Sequence, residues 1–404
     1  MLRKIPTIFV IISLCMLLTT CGGGSDSNIT GGTGSQDILF QQTFGGSGTE
    51  FGMTVLQTSD GGFILLGETD SQGNGGTDIY LVKTDSSGQK QWEKTYGGAN
   101  DDYSDSIAIA PDKGFIIVGD TNSFGAGGRD IYLIKTDSSG NVAWTKTFGG
   151  TGNDKGGSVQ PTVDGYIVVG TIDDNTNADM ITLIKTDTAG NTVWDKTYGD
   201  TDWAGDKGIA VLTTPSGGYV VLGDGKGTQP FFGSTYLTDY WLFETDVNGV
   251  VIWSNKYGSS DFEHADSLAK TNSGGYILLG ESNRRANFFS VNTDSNGTLI
   301  WSKEYEYSNY DTNEGNAVIQ AADGGFAMLG DTMKFDVGQT SGDFFMYLLK
   351  TDSQGNKNWE KIYQGNGEAI GNSIIQTSDE NYVLFGTTIS NSDHNMYLLK
   401  VAAP

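Results

Sequence analysis

Acidic side chains recur at one place in this sequence. Glu50, Asp102, Asp154 and Glu263 each stand five residues before the first apolar position of a strand-like run, and Asp206, Glu314 and Glu368 stand close to the equivalent place. Carboxylates gathered around one opening could hold a cation or a basic partner. They also suit turn caps that accept backbone N–H bonds, and that is the simpler reading. A second candidate is the segment Asp173 to Asp179, where Asp173, Asn175, Asn177 and Asp179 place oxygen ligands at alternate positions, as calcium loops do. Ala178 stands where such a loop needs its turn glycine and Ile184 where it needs its closing acid, so an ordinary polar loop is the plainer reading. A third is the aromatic set Trp203, Phe231, Phe232 and Tyr236, from two loops of the fourth repeat. Large rings on loops stack on sugars, anchor a protein contact or pack locally.

Composition removes several other chemistries. The chain carries 24 basic and 49 acidic residues, a balance that repels phosphates and disfavours nucleic acid as a partner. Its two cysteines, Cys15 and Cys21, both fall in the N-terminal segment, which leaves no thiol or disulfide for a folded domain. His264 and His394 lie in different repeats, so a multi-histidine metal site is not expected. A glycosidase would need two facing carboxylates, but with so many acids some pair will be close by chance.

These candidates have to be positioned by a repeat. The run Asp130-Ile-Tyr-Leu-Ile-Lys-Thr-Asp-Ser-Ser-Gly-Asn-Val-Ala-Trp144 returns along the chain, its tryptophan recurring as Trp92, Trp144, Trp194, Trp253, Trp301 and Trp359, with Phe40 at the same place near the start. The steps of 52, 52, 50, 59, 48 and 58 residues signal a repeat architecture. Each repeat holds four strand signals, in the second Ser106–Ala110, Phe115–Gly119, Ile131–Thr136 and Val142–Phe148. Four antiparallel strands per repeat make a propeller blade. The expected fold is therefore all-β, a seven-bladed β-propeller over residues 37–404. The seventh repeat lacks its fourth strand, and residues 38–44 read as a fourth strand without a blade. They are expected to complete the last blade and close the ring.

The repeated Lys-Thr-Asp-x-x-Gly-x-x-x-Trp, seen as Asp85/Gly88/Trp92, Asp137/Gly140/Trp144, Asp187/Gly190/Trp194, Asp246/Gly249/Trp253, Asp294/Gly297/Trp301 and Asp352/Gly355/Trp359, resembles the tryptophan-docking repeat of the quinoprotein-like propellers. The resemblance implies that each tryptophan packs between neighbouring blades and that the aspartate holds its turn by hydrogen bonds. The turn here is one residue shorter than the common form. The adjacent cysteines and calcium ligands that quinoprotein dehydrogenases use are missing, so a quinone cofactor is not expected and calcium is the only ion considered. An outer-membrane assembly lipoprotein built from related repeats, with eight blades, is the nearest functional analogy.

The N-terminal segment reads as an address. A short basic region with Arg3 and Lys4 precedes the apolar run Thr7–Leu18, too short to span a bilayer and suited to a secretory leader of residues 1–20. Leu18-Thr-Thr-Cys21 resembles a bacterial lipobox, which would make Cys21 the acylated anchor. Residues 22–36, rich in Gly and Ser, read as a flexible tether. The expected protein is a monomeric module lipid-anchored at the bacterial envelope, periplasmic or surface-exposed, touching the membrane through the anchor alone. It is read as a non-catalytic binding or assembly module that meets an envelope protein through its longer, more varied loops. A glycan-binding surface lipoprotein is the alternative, and an enzyme with an undetected site a third.

Overall fold

In the computed structural model, residues 37–173, 179–199, 205–232, 235–259, 261–282, 287–306, 312–334, 343–365, 367–390 and 393–404 are described. They form seven four-stranded antiparallel sheets. Six sheets take their strands in sequence order, as blades one to six: residues 50–96, 102–148, 155–198, 207–257, 263–305 and 312–363. Blade seven joins the two ends of the domain in the order Ile38–Phe44, Asp393–Val401, Tyr382–Ser390, Glu368–Gln376. The closing ladder runs from Ile38 opposite Val401 to Phe44 opposite Met396, and the Ala402 N–H donates to the Asp37 carbonyl at 2.8 Å. The ring closure expected from residues 38–44 is what the chain does.

The Lys-Thr-Asp motif has a separate task for each residue. In all six copies the aspartate Oδ1 accepts two turn N–H groups, as Asp137 does from Ser139 at 2.8 Å and Asn141 at 2.9 Å. The threonine hydroxyl donates to the aspartate carbonyl in five, Thr136 at 3.0 Å among them. The lysine, almost wholly buried, reaches the aspartate of the turn between the first two strands: Lys83–Asp60 at 3.0 Å, Lys135–Asp112 at 2.7 Å, Lys185–Asp164 at 2.7 Å and Lys350–Asp323 at 2.8 Å. Blade seven repeats it with Lys400–Asp379 at 2.7 Å. In blades four and five both partners change together, to Glu244 with Ser216 and Asn292 with Ser273. A buried lysine without its carboxylate would be costly, so the two positions move as a pair.

Between blades, each tryptophan lies against the first aromatic of the next blade's second strand: Trp92 on Phe115 at 6.3 Å between centroids, Trp144 on Tyr166 at 5.9 Å, Trp194 on Tyr219 at 6.0 Å, Trp253 on Tyr276 at 6.3 Å, Trp301 on Phe326 at 5.6 Å and Trp359 on Tyr382 at 6.2 Å. Phe40 does the same on Phe63 at 6.2 Å. The docking role that the resemblance implies is thus present at every seam. The other face of the ring meets the next turn glycine, since a Cβ on Gly140 would stand 2.9 Å from the Trp92 ring. Tyr96, Tyr198 and Tyr305 donate their hydroxyls to the carbonyls of Gly140, Gly249 and Gly355 in the following blade, at 2.7, 2.7 and 2.8 Å. Tyr363 faces blade seven, where two separate strands meet without that turn, and its buried hydroxyl has no partner among the described residues. The apolar core is accordingly divided into seven clusters, one for each seam.

Inner strands begin earlier than their apolar residues suggest. In blade two the strand is Asp102–Ile109 rather than Ser106–Ala110, because its first half is polar and carries a bulge between Ser104 and Ser106. The same bulge recurs in all seven blades. It presses a carbonyl onto a glycine of the second strand: a Cβ on Gly67, Gly119, Gly170, Gly223, Gly280, Gly330 or Gly386 would overlap the carbonyl oxygen of Phe51, Tyr103, Lys155, Lys207, His264, Glu314 or Ile370 respectively. A second difference concerns residues 225–238. These read as a long loop, but they extend a hairpin made of Tyr219–Phe232 and Thr235–Thr245, with Phe232 opposite Thr235. Aromatic and β-branched residues supply enough strand preference for the ladder to continue.

Candidate functional site

The inner strands line the centre of the ring, and the bulge at each one sets what faces it. The residue after the second-strand glycine receives the N–H freed at the bulge of the next blade. Ser104 N–H donates to Glu68 Oε1 at 3.1 Å, Gly156 to Asp120 Oδ1 at 3.2 Å, Gly208 to Thr171 Oγ1 at 3.1 Å, Ala265 to Asp224 Oδ1 at 2.9 Å and Gly52 to Thr387 Oγ1 at 3.1 Å. Sequence reasoning missed this belt. Its signal is the recurring Gly-acid or Gly-Thr pair: Gly67-Glu68, Gly119-Asp120, Gly170-Thr171, Gly223-Asp224, Gly280-Glu281, Gly330-Asp331 and Gly386-Thr387.

Over blades four to six the belt concentrates negative charge. Asp224 Oδ2 stands 3.1 Å from His264 Nδ1, and that bond raises the imidazole above its ordinary value. Asp331 is 3 % exposed, with Glu314 opposite it in the ladder, and accepts from Asn316 Nδ2 at 3.0 Å. Burial pushes its carboxyl up to about 7 against that bond, and the Glu281 and Asp266 carboxylates add to the rise. The folded chain therefore holds a proton that the unfolded chain has lost between about pH 4 and pH 7. This contribution to stability is complete below that window and is lost as pH rises through 7. Asp331→Asn, which imitates the protonated form, is expected to raise the thermal midpoint at pH 8 by about 3 °C and to leave it nearly unchanged at about pH 3, below the window. Calorimetry at the two pH values checks this.

The ring of acids proposed from sequence is placed as follows. Glu50, Asp102, Asp154 and Glu263 are fully buried at the starts of inner strands, and Asp206 shares their place at 1 % exposure. Glu50 Oε2 accepts from Gly46 N–H at 3.0 Å, Asp102 Oδ2 from Gly98 at 2.7 Å and Asp154 Oδ2 from Gly150 at 2.7 Å, so each caps the linker that enters its blade. Glu263 accepts from Ser259 Oγ at 2.5 Å, and burial pushes it up to about 7. Glu314 falls one residue beyond this register, whose place in blade six is Asn313. Glu368 falls one residue short, with Ala369 at the place. A one-residue shift turns a side chain to the other face of the strand.

Asp173 and Asp179 stand opposite each other as the last pair before the connection of the hairpin in blade three, and Asn175 and Asn177 lie outside the described residues. Asp173 is also tied to the neighbouring linker, accepting from Asn153 N–H at 3.2 Å and donating its own N–H to Asp154 Oδ1 at 2.9 Å. Of the aromatic set, Phe231 and Phe232 end one strand of the long hairpin and Tyr236 begins the return strand, with Pro230 opposite Tyr236. Trp203 and Cys21 lie outside the described residues. Half-buried Trp241 sits at the base of that hairpin under the Lys256 ammonium, 5.2 Å away. Sequence reading also passed over an apolar row on the outer strands of blades four and five, where Val251, Ile252, Leu299 and Ile300 are 42, 58, 50 and 54 % exposed. Among the described residues no group of three acidic, histidine or cysteine side chains converges on one point.

No family model matches this chain, and no curated protein sequence does. Solved structures do. Drosophila semaphorin 1a, extracellular domains 1–2, matches at a TM-score of 0.52 and 7 % identity, covering 91 % of this chain and 88 % of that one. Sqt1 from Chaetomium thermophilum matches at 0.50 and 10 %, covering 91 % and 99 %. The Pan2 WD40 domain of Neurospora crassa matches at 0.50 and 11 %, covering 89 % and 90 %. At such identities the likeness is one of fold alone. With its seven sheets, its seam cores and its closing strand, the chain is a seven-bladed β-propeller.

Proposed function

We propose that this propeller is a non-catalytic binding and assembly module, a monomer tethered through Cys21 to the bacterial envelope, which docks a protein partner on the face that carries its varied hairpins. The observation that carries this reading is the difference between the two faces. Turns on one side repeat a single aspartate-held form in six blades. On the other side the hairpin of blade four extends its strands to 14 and 11 residues, against 7 in the matching strands of blade two. Individually varied loops on a rigid repeat are the usual means by which one scaffold acquires one partner. The glycan-binding reading rests on the same hairpin, since the aromatic residues Phe231, Phe232 and Tyr236 belong to its strands.

Photo-crosslinking in the native host tests the proposal, with the reactive residue at Phe232, at Ser87 in an aspartate-held turn, or at Ile252 in the apolar row. A discrete protein adduct from Phe232 alone is the expected result. Adducts only from Ser87 or Ile252 would place the partner elsewhere and overturn the choice of face. Adducts from none would overturn the protein reading. Glycan binding predicts retention on a polysaccharide column that Trp203→Ala abolishes.

A further inference from the structure

The seam between blades one and two holds two aspartates whose charge the turn caps do not account for. Asp78 begins the third strand of blade one and Asp102 the inner strand of blade two, and neither is exposed. One oxygen of each is engaged: Asp78 Oδ2 accepts from Asn74 and Gly75 N–H at 2.8 and 3.4 Å, and Asp102 Oδ2 accepts from Gly98 N–H and Ser123 Oγ, both at 2.7 Å. The other oxygens, Asp78 Oδ1 and Asp102 Oδ1, are buried and have no hydrogen-bond partner among the described residues. Asp78 Oδ1 is aimed across the seam. A Cβ on Gly97 would overlap it while standing only 2.7 Å from Asp102 Oδ2, so glycine alone leaves room for the two carboxylates to face each other. Among the described residues no lysine or arginine pairs with either one.

Two buried carboxylates at close quarters need a proton or a cation between them. All four donors go to the Oδ2 atoms and none reaches either Oδ1, so the seam leaves two buried acceptor oxygens that a cation would engage. The seam between blades two and three supplies a contrast. There Asp130 and Asp154 approach across Gly149, but both Asp154 oxygens are engaged, by Gly150 and Asp173 N–H. We propose that the seam between blades one and two binds a calcium ion between Asp78 and Asp102. Oxygen-only donors in irregular geometry suit calcium better than magnesium, whose octahedral demands are strict. With only two carboxylates the site belongs to the weak class, with a Kd of about 0.1–1 mM, and water would fill the remaining coordination positions.

The test uses the whole chain, stripped with EDTA and returned to metal-free buffer. Equilibrium dialysis is expected to find one bound calcium per chain at this seam. Calcium well above Kd should raise the thermal midpoint by about 4 °C. Asp78→Asn should lose both effects, Asp130→Asn should keep them, and magnesium at the same concentration should give less than half the shift. The proposal is overturned if wild type binds no calcium, or if Asp78→Asn binds it as well as wild type. It is equally overturned if Asp78→Asn is more stable than wild type in EDTA and indifferent to calcium while wild type is also indifferent, because the pair then shares a proton. Should Asp78→Asn fail to fold, Asp102→Asn and the wild-type dialysis decide the matter.

Discussion

Removal of residues 37–44 is expected to abolish the cooperative unfolding transition of the propeller and to leave a self-associating chain. Those residues contribute the fourth strand of blade seven, with register pairs from Ile38–Val401 to Phe44–Met396. They also place Phe44, 7 % exposed, in the core between blades seven and one, lay Phe40 against Phe63 and accept the Tyr397 hydroxyl on Gln41 Oε1 at 2.8 Å. Loss of one buried phenylalanine costs about 3–5 kcal/mol, and a whole domain is stable by only about 5–15 kcal/mol. The strand Asp393–Val401 would become an open edge, a template for pairing with another chain. Circular dichroism melting and size-exclusion chromatography read both effects. A peptide of residues 37–44 supplied in trans should restore part of the transition, as strand addition does elsewhere. A deletion that melts like the full chain would show that closure rests on the other seams.

Gly119→Ala should destabilise the chain by about 3 kcal/mol or more, an effect out of proportion to one methyl group. The added Cβ would overlap the Tyr103 carbonyl oxygen and stand 3.1 Å from the Ser104 Cα, and both are backbone atoms that no rotamer change can move aside. Relief would require the bulge between Ser104 and Ser106 to shift, and with it the Ser104 N–H bond to Glu68 that links blade two to blade one. Gly150→Ala is the control. Nothing lies within 4 Å of its Cβ position, so the change should be neutral or slightly stabilising. Urea denaturation of the two variants beside wild type measures the difference. Equal midpoints for Gly119→Ala and wild type would mean the bulge is softer than its geometry implies.

The repeat made the fold legible. The spacing of Trp92, Trp144 and their equivalents, the four strand signals and the unpaired strand at residues 38–44 were enough for the blade count and the closure, because each is local or is copied many times. The strand starts were less legible. Asp102 to Asp105 are polar, yet they form a strand, since the bulge and the acceptor in the preceding blade satisfy their backbone. Residues 225–238 read as a long loop, while Tyr219–Phe232 and Thr235–Thr245 pair through Lys226–Thr238, Pro230–Tyr236 and Phe232–Thr235, a pairing set by the fold of the hairpin.

Of the candidate site, sequence spacing located Glu50, Asp102, Asp154 and Glu263 correctly as a repeated position, but it could not choose between cap and ligand. That choice depends on which oxygens are already engaged, a property of the linker fold in three dimensions. The partner of Asp102 across the seam, Asp78, begins a strand of another blade and is a pattern element of its own repeat, so nothing along the chain joins the two. By itself the sequence determined the class of fold, the repeat and the strand that closes the ring, because strand preference and turn chemistry are written in neighbouring residues. Only the tertiary structure decided which glycines are under a carbonyl, which acids cap and which face each other, because those depend on the approach of blades far apart in the chain.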